Sequence, residues 1–166
     1  MPSKWFEEQP KNRNFLAPTG FQMSLELFPG TDFFCQRASI PDISVGYTDA
    51  ITPFRNVPIA SAGGISYGDL RLKFIIDEDL YNYQAIFDWI EKNNLAREYS
   101  DGQVQYSTGD LLILNSNMRT NRIVTFYDLF PVDLTSVEFD VADQDVEYLT
   151  ADVTFKFKEF VFNKER

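Results

Sequence analysis

At 166 residues the chain has the length of one domain, and 16% of it is aromatic, which suits sheet packing and broad interfaces and opposes disorder. Its net charge of −10, from 15 basic and 25 acidic residues, opposes general binding to nucleic acid or anionic membranes, which needs clustered Lys and Arg. No histidine is present, which removes Ser-His-Asp and Cys-His catalysis and every imidazole metal site; the single cysteine excludes an internal disulfide and fits a reducing cytosol.

Residues 1–19 read as an extended, proline-interrupted arm with Trp5, Phe6, Phe15 and Leu16 as isolated apolar anchors. Such an arm is stabilised only by docking, on its own domain or on a neighbour. The opening MPSKWFEEQPKNRN has no apolar stretch of signal-peptide type, and no run of about 18 apolar residues offers a membrane anchor.

The first strand is expected over 20–28, where Phe21, Met23, Leu25 and Leu27 alternate with polar residues. Pro29-Gly30 supplies a turn into a second strand over 32–39, so the two read as a hairpin. Residues 41–68 hold prolines, glycines and many small residues, which forbid a long helix or a central strand. They are expected to form a long binding loop, with SAGG at 61–64 its most flexible point.

A third strand follows at 69–77, with Leu70, Leu72, Phe74 and Ile76 on one face and Arg71 and Lys73 on the other. The period then becomes helical, with Leu80, Tyr83, Phe87 and Ile90 predicted as the buried stripe. Asp79 is the expected N-cap, Asp77 and Glu78 precede the positive end of the helix, and Asn93-Asn94 closes it. After a polar loop at 95–108, strands are expected at 109–116 and 122–130, joined by NSNMRTN. The last strand runs 149–157. Beyond it the apolar phase shifts to Phe160 and Phe162, which predicts a bulge or bend near Lys158-Glu159. The sum is a mainly antiparallel β domain with one packed helix.

Each candidate for chemistry has a plainer explanation. Cys35 shares a strand face with Arg37, but a free cysteine in a strand is usually a small buried apolar group. The acidic run Asp140, Asp143, Asp145 and Glu147 lacks the glycine and spacing of a calcium loop. Asp77, Glu78 and Asp79 could act as hydrolytic carboxylates, yet capping and the helix dipole explain them. The SAGG loop has no GK[ST] or GxGxxG pattern. The expectation is therefore a protein that is not an enzyme, without catalytic residues, cofactor or metal. Assembly through open strand edges accounts better for the composition.

The order of elements resembles the tail tube proteins of contractile-tailed bacteriophages. NFLAPTGFQMSLEL is similar to their N-terminal segment and first strand, and DFFCQRASIPDISVGY to their second strand and proline loop. VPIASAGGISYGDLRLKFIIDED, LYNYQAIFDWI and TFYDLFPVDLTSVEFDVADQDVEYLTADVTFKF resemble the later loop and strand, the single helix and the closing strands. The resemblance implies an antiparallel β-sandwich or barrel with one packed helix. It implies six copies in a ring, rings stacked into a tube, sheets of neighbours joined into an inner barrel, and the helix outside. The implied partners are the tail sheath, the baseplate tube initiator and the tape measure protein, with DNA crossing the lumen without specific binding. The implied location is the virion tail, assembled in the host cytoplasm. In that frame Arg55, Asn56, Ile59, Ser61, Gly63, Gly64 and Tyr67 are the inter-ring contacts, and Phe155, Phe157 and Phe160 form the edge between subunits. Tube-like baseplate proteins and secretion-system tube proteins share the resemblance and stand as alternatives to the tube subunit.

Overall fold

The computed structural model describes residues 14–28, 35–95, 104–139 and 148–164. Among these residues nine strands and one helix are ordered β1 (Phe21–Leu25), β2 (Cys35–Ala38), β3 (Ile43–Ile51), β4 (Asn56–Tyr67), β5 (Leu70–Ile75), α1 (Tyr81–Asn94), β6 (Ser107–Leu114), β7 (Thr120–Leu134), β8 (Thr150–Lys156) and β9 (Glu159–Lys164).

Alternation places Met23 and Leu25 of β1, Leu70, Leu72 and Phe74 of β5, and Ala151, Val153 and Phe155 of β8 in one core. Each such burial contributes about 1.5–3 kcal/mol for the larger side chains. Strands β1-β6-β7-β8-β5-β2 form one antiparallel sheet, and β9 adds to β7. The long β7 makes this possible. Its first half pairs with β6 and β9, and its second half with β8. The strand turns at Asp128, whose φ is +53°, and the sheet folds over its own core.

The predicted bend near Lys158-Glu159 lies opposite that turn. The chain leaves β8 after Lys156 and resumes as β9 at Glu159, changing partners from Phe130–Leu134 to Arg122–Tyr127. The Lys158 N–H donates to the Tyr127 carbonyl at 3.0 Å, and its ammonium lies 3.7 Å from Asp128. The phase shift read in the sequence is thus the corner of the fold.

Three expectations need correction. First, β1 and β2 are not a hairpin: β1 pairs with β6, and β2 with β5. The Pro29-Gly30 turn lies outside the described residues. Proximity in sequence was outweighed by core-facing partners farther along the chain. Second, residues 41–68 are not an irregular loop. They form β3 and β4, a separate two-stranded sheet, so the expectation that they enter no central strand holds. Third, β7 runs through Pro131, since a residue without an N–H is tolerated where the ladder register already shifts, between Pro131 and Asp133.

The helix is where the period placed it, but it is rolled. Asn82, Ile86 and Trp89 are its buried residues, while Leu80 and Phe87 of the expected stripe are exposed. Its start is organised by a reciprocal pair in place of the Asp79 cap. The Asn82 N–H donates to Asp77 Oδ1 at 3.2 Å and the Asp77 N–H donates to Asn82 Oδ1 at 3.3 Å. Asn82 Nδ2 also reaches the Ile75 carbonyl at 2.8 Å. A polar residue therefore faces inward because it stitches the helix start to the end of β5. At the far end Asn94 Nδ2 donates to the Ile90 carbonyl, and Asn93 exchanges hydrogen bonds with the Gln105 backbone.

Candidate functional site

The β3–β4 ribbon carries the largest feature that the core does not explain. Neither strand pairs with the main sheet, and an isolated two-stranded ribbon is marginal in water. Register and alternation give it two unlike faces. One carries Ile43, Val45 and Tyr47, with Ile65 opposite Val45 and Tyr67 opposite Ile43. The other carries Ser44 opposite Ser66 near the root, then Thr48 opposite Ile59. Ile43, Val45, Tyr47 and Ile65 are all exposed, Tyr47 by 70%. A contiguous apolar strip of this kind is a candidate interaction surface.

Local chemistry shapes the ribbon at three points. At the tip, Thr52 closes a four-residue turn: its N–H and hydroxyl both donate to the Arg55 carbonyl, and the Arg55 N–H donates to Thr52 Oγ1. Phe54 stands at the apex, 97% exposed. Midway, Gly46 alone separates Val45 from Tyr47, whereas residues 61–64 separate their partners Ile65 and Ala60. The extra residues make a bulge that bends the ribbon, and Gly64 provides the φ of +94° it requires. At the root, the Gly68 N–H donates to the Asp42 carbonyl at 2.9 Å. A Cβ on Gly68 would lie 1.8 Å from Asp42 Oδ1, so any larger residue there would have to displace the Asp42 carboxylate.

The residues expected to contact the next ring all fall on this ribbon, in different settings. Arg55 belongs to the tip turn, and Asn56 begins β4 opposite Ile51. Ile59 is exposed on the face away from Tyr47. Ser61, Gly63 and Gly64 lie in the register shift. Tyr67 turns toward the body, its ring 5.8 Å from Phe157 and 5.4 Å from Phe160. Sequence reasoning missed Ile43, Val45, Tyr47, Phe54 and Ile65. The alternation in ISVGY was the available signal, hidden by the glycines and prolines around it.

The expected edge residues separate. Phe155 is not at an edge: β8 is paired on both sides, by Leu70 and by Pro131 at this position. Its ring is fully buried, 5.9 Å from that of Trp89. Phe157 occupies the corner, and Phe160 lies in β9, which among the described residues pairs on one side only. Strands β1 and β2 are the other ends of the main sheet. At the start of the described chain the Phe15 side chain is 98% exposed. Trp5 and Phe6 lie outside the described residues.

The main sheet also has a face turned away from α1. Arg37, Arg71 and Lys73 line an open concavity there with Asp133, Asp152 and Thr154. Lys73 is in register with Asp152, and at its border Lys156 pairs with Asp69. The charges are mixed.

Cys35 is half-buried opposite Phe74 and lines a small apolar pocket with Leu72 and Ile86. Burial pushes its thiol up from 9.0 to about 11, against a weaker lowering by the Arg37 backbone, and the thiol donates to the Arg37 carbonyl at 3.5 Å. A nucleophilic thiol needs the opposite shift. Labelling of Cys35 in the folded chain should therefore keep rising with pH up to about 11, where an ordinary thiol would already have levelled off. A plateau near pH 9 in stopped-flow thiol labelling would contradict this. Asp77 is engaged with Asn82, while Glu78 and Asp79 are exposed. The acidic residues Asp140 to Glu147 lie outside the described residues. Among the described residues no group of three or more Cys, Asp or Glu side chains is gathered as a metal site.

Known proteins agree with this architecture. The tail tube terminator protein of Enterobacteria phage T4 is 26% identical over 155 residues, spanning 89% of this chain and 88% of that protein. The tube-terminating cap of the anti-feeding prophage superposes with a TM-score of 0.71 at 16% identity, covering 96% of this chain and 97% of the other. A chain of the PVC sheath–tube complex in the extended state, from an extracellular contractile injection system, superposes with a TM-score of 0.68 at 17% identity, covering 92% and 94%. Residues 10–163 match the family described as phage tail tube protein. With an antiparallel β architecture, a single helix among the described residues and a match over nearly its whole length, the chain belongs to the phage tail tube protein family.

Proposed function

We propose that this chain forms the ring that terminates the tube of a contractile tail. The observation that carries the reading is the 26% identity to the phage T4 tail tube terminator, which extends over nearly the full length of both chains. The whole of 1–166 acts as one tube-like domain in this reading. Six copies close a ring through the open strands β9 and β1, because a head-to-tail contact between unlike edges closes when its rotation permits. The apolar ribbon seats on the last ring of the tube. A surface of this kind is unstable when wet, so docking on a completed tube offers it cover.

The helix lies outside, toward the sheath. The face with Arg37, Arg71, Lys73 and Asp152 then turns to the lumen. Its mixed charge, within a chain of net charge −10, gives phosphate no continuous cationic track. The tape measure protein and DNA occupy that channel without specific retention, and the protein resides in the virion tail. The repeating tube subunit is the second reading, because the same ribbon could seat on an identical ring.

Electron microscopy of purified protein with tail tubes separates the two. A terminator binds one end of preformed tubes, stops their growth and makes no long tubes itself. Long tubes of uniform width from the purified chain alone would reject termination in favour of the repeating subunit. A monomer that ignores tubes and baseplates at every concentration would reject both.

A further inference from the structure

The ribbon is joined to the body by a small aromatic cluster, and that cluster also reaches an open strand edge. Tyr67 is the last residue of β4. Its ring meets Phe157 at the corner and Phe160 in β9. Phe157 and Phe160 lie 5.8 Å apart, and both pack on the fully buried Phe126, at 5.2 and 5.6 Å. From Phe160 the series continues to Phe162 at 5.5 Å. Phe162 is more than half exposed on the one-sided strand β9. Beside Tyr67, Gly68 holds the two legs of the ribbon together against Asp42.

We propose that Tyr67 is the joint of the ribbon, a positioning residue that transmits the state of the β9 edge to the angle of the ribbon. The pinned Gly68 root is a pivot, and Tyr67 is the ring next to it. A strand of nine residues extends about 30 Å at ~3.3 Å per residue, so a small displacement of Tyr67 moves the tip much farther. When another chain pairs on β9, Phe162 is covered and Phe160 is held. Tyr67 is then held between Phe160 and Phe157, and the ribbon takes one direction. Tyr67 thus acts through the body, and is not itself a surface presented to the next ring. Assembly acquires an order: lateral pairing on β9 comes first, and stacking by the ribbon follows. The inference rests on the reading of β9 as a lateral contact between copies.

Hydrogen exchange on the full soluble chain tests the joint before any assembly. In Tyr67→Ala, peptides across 43–48 and 64–68 should exchange about tenfold faster, the loss of two aromatic contacts, while β5 and β8 stay as in the wild type. Tyr67→Phe should restore wild-type exchange to within about twofold, since the ring contacts are kept. Phe162→Ala should speed the same ribbon peptides, although its residue is not part of the ribbon. Unchanged ribbon exchange in Tyr67→Ala, or an effect of Phe162→Ala confined to β9, would overturn the proposal. In assembly, Tyr67→Ala rings that close but fail to seat on tubes support it, and rings that seat normally refute it. A wild-type chain that never forms rings would refute the lateral-contact reading alone, because the exchange result stands independently.

Discussion

Tyr47→Asp leaves the isolated chain folded and abolishes its seating on a ring. Tyr47 is 70% exposed in the free chain, so the substitution changes its unfolding free energy by less than about 0.5 kcal/mol. In the proposed seating the same carboxylate, next to Val45 on its face and opposite Ala60, would enter an apolar contact without a partner. Burying an unpaired charged group costs several kcal/mol, and a ring would repeat that cost in each copy. Ser44→Asp is the control, because Ser44 lies on the opposite face, across from Ser66. It retains seating, weakened by no more than about 1 kcal/mol. Sedimentation with tubes and electron microscopy read both variants. Seating of Tyr47→Asp at wild-type concentration would show that the apolar face is not the contact, and loss in Ser44→Asp alone would assign the contact to the other face.

The second large effect is in the core. Trp89→Ala lowers the stability of the chain by about 3–5 kcal/mol. Trp89 is 2% exposed and lies between Phe28 and Phe155, with ring centroids 5.6 and 5.9 Å away. Its Nε1 donates to the Gln105 carbonyl at 2.8 Å, which fastens the segment before β6 to the helix. The substitution opens a cavity and removes that donor together. Trp89→Phe fills much of the space but still lacks the donor, so it loses about 1–3 kcal/mol. Chemical denaturation measures both. A loss below about 1 kcal/mol for Trp89→Ala would mean that the helix is held chiefly by other contacts.

These two residues also show what could be read without the structure. Trp89 lies within the helix that its period predicted, yet the stripe chosen for the core was Leu80, Tyr83, Phe87 and Ile90. Periodicity fixes which residues share a face, but Asn82 turned inward because its amide completes the end of β5. Hydrophobicity alone gives no sign of that bond. Tyr47 was hidden for another reason. Glycine and proline lower strand propensity locally, but the pairing of β3 with β4 spans the whole segment and absorbs the irregularity in one bulge.

By itself the sequence determined the strand alternation, the position of the helix and the bend after β8, because periods of two and of 3.6 are local properties of the chain. It also determined the absence of imidazole chemistry and the order of elements that resembles tail tube proteins. Only the tertiary structure decided that β1 and β2 part to opposite ends of the main sheet, and that Phe155 is core while Phe160 lies at an edge. It also decided that Tyr67 faces the body. Pairing between distant strands depends on which faces bury the most apolar surface together, and that sum is taken over the whole molecule and not over neighbours in the chain.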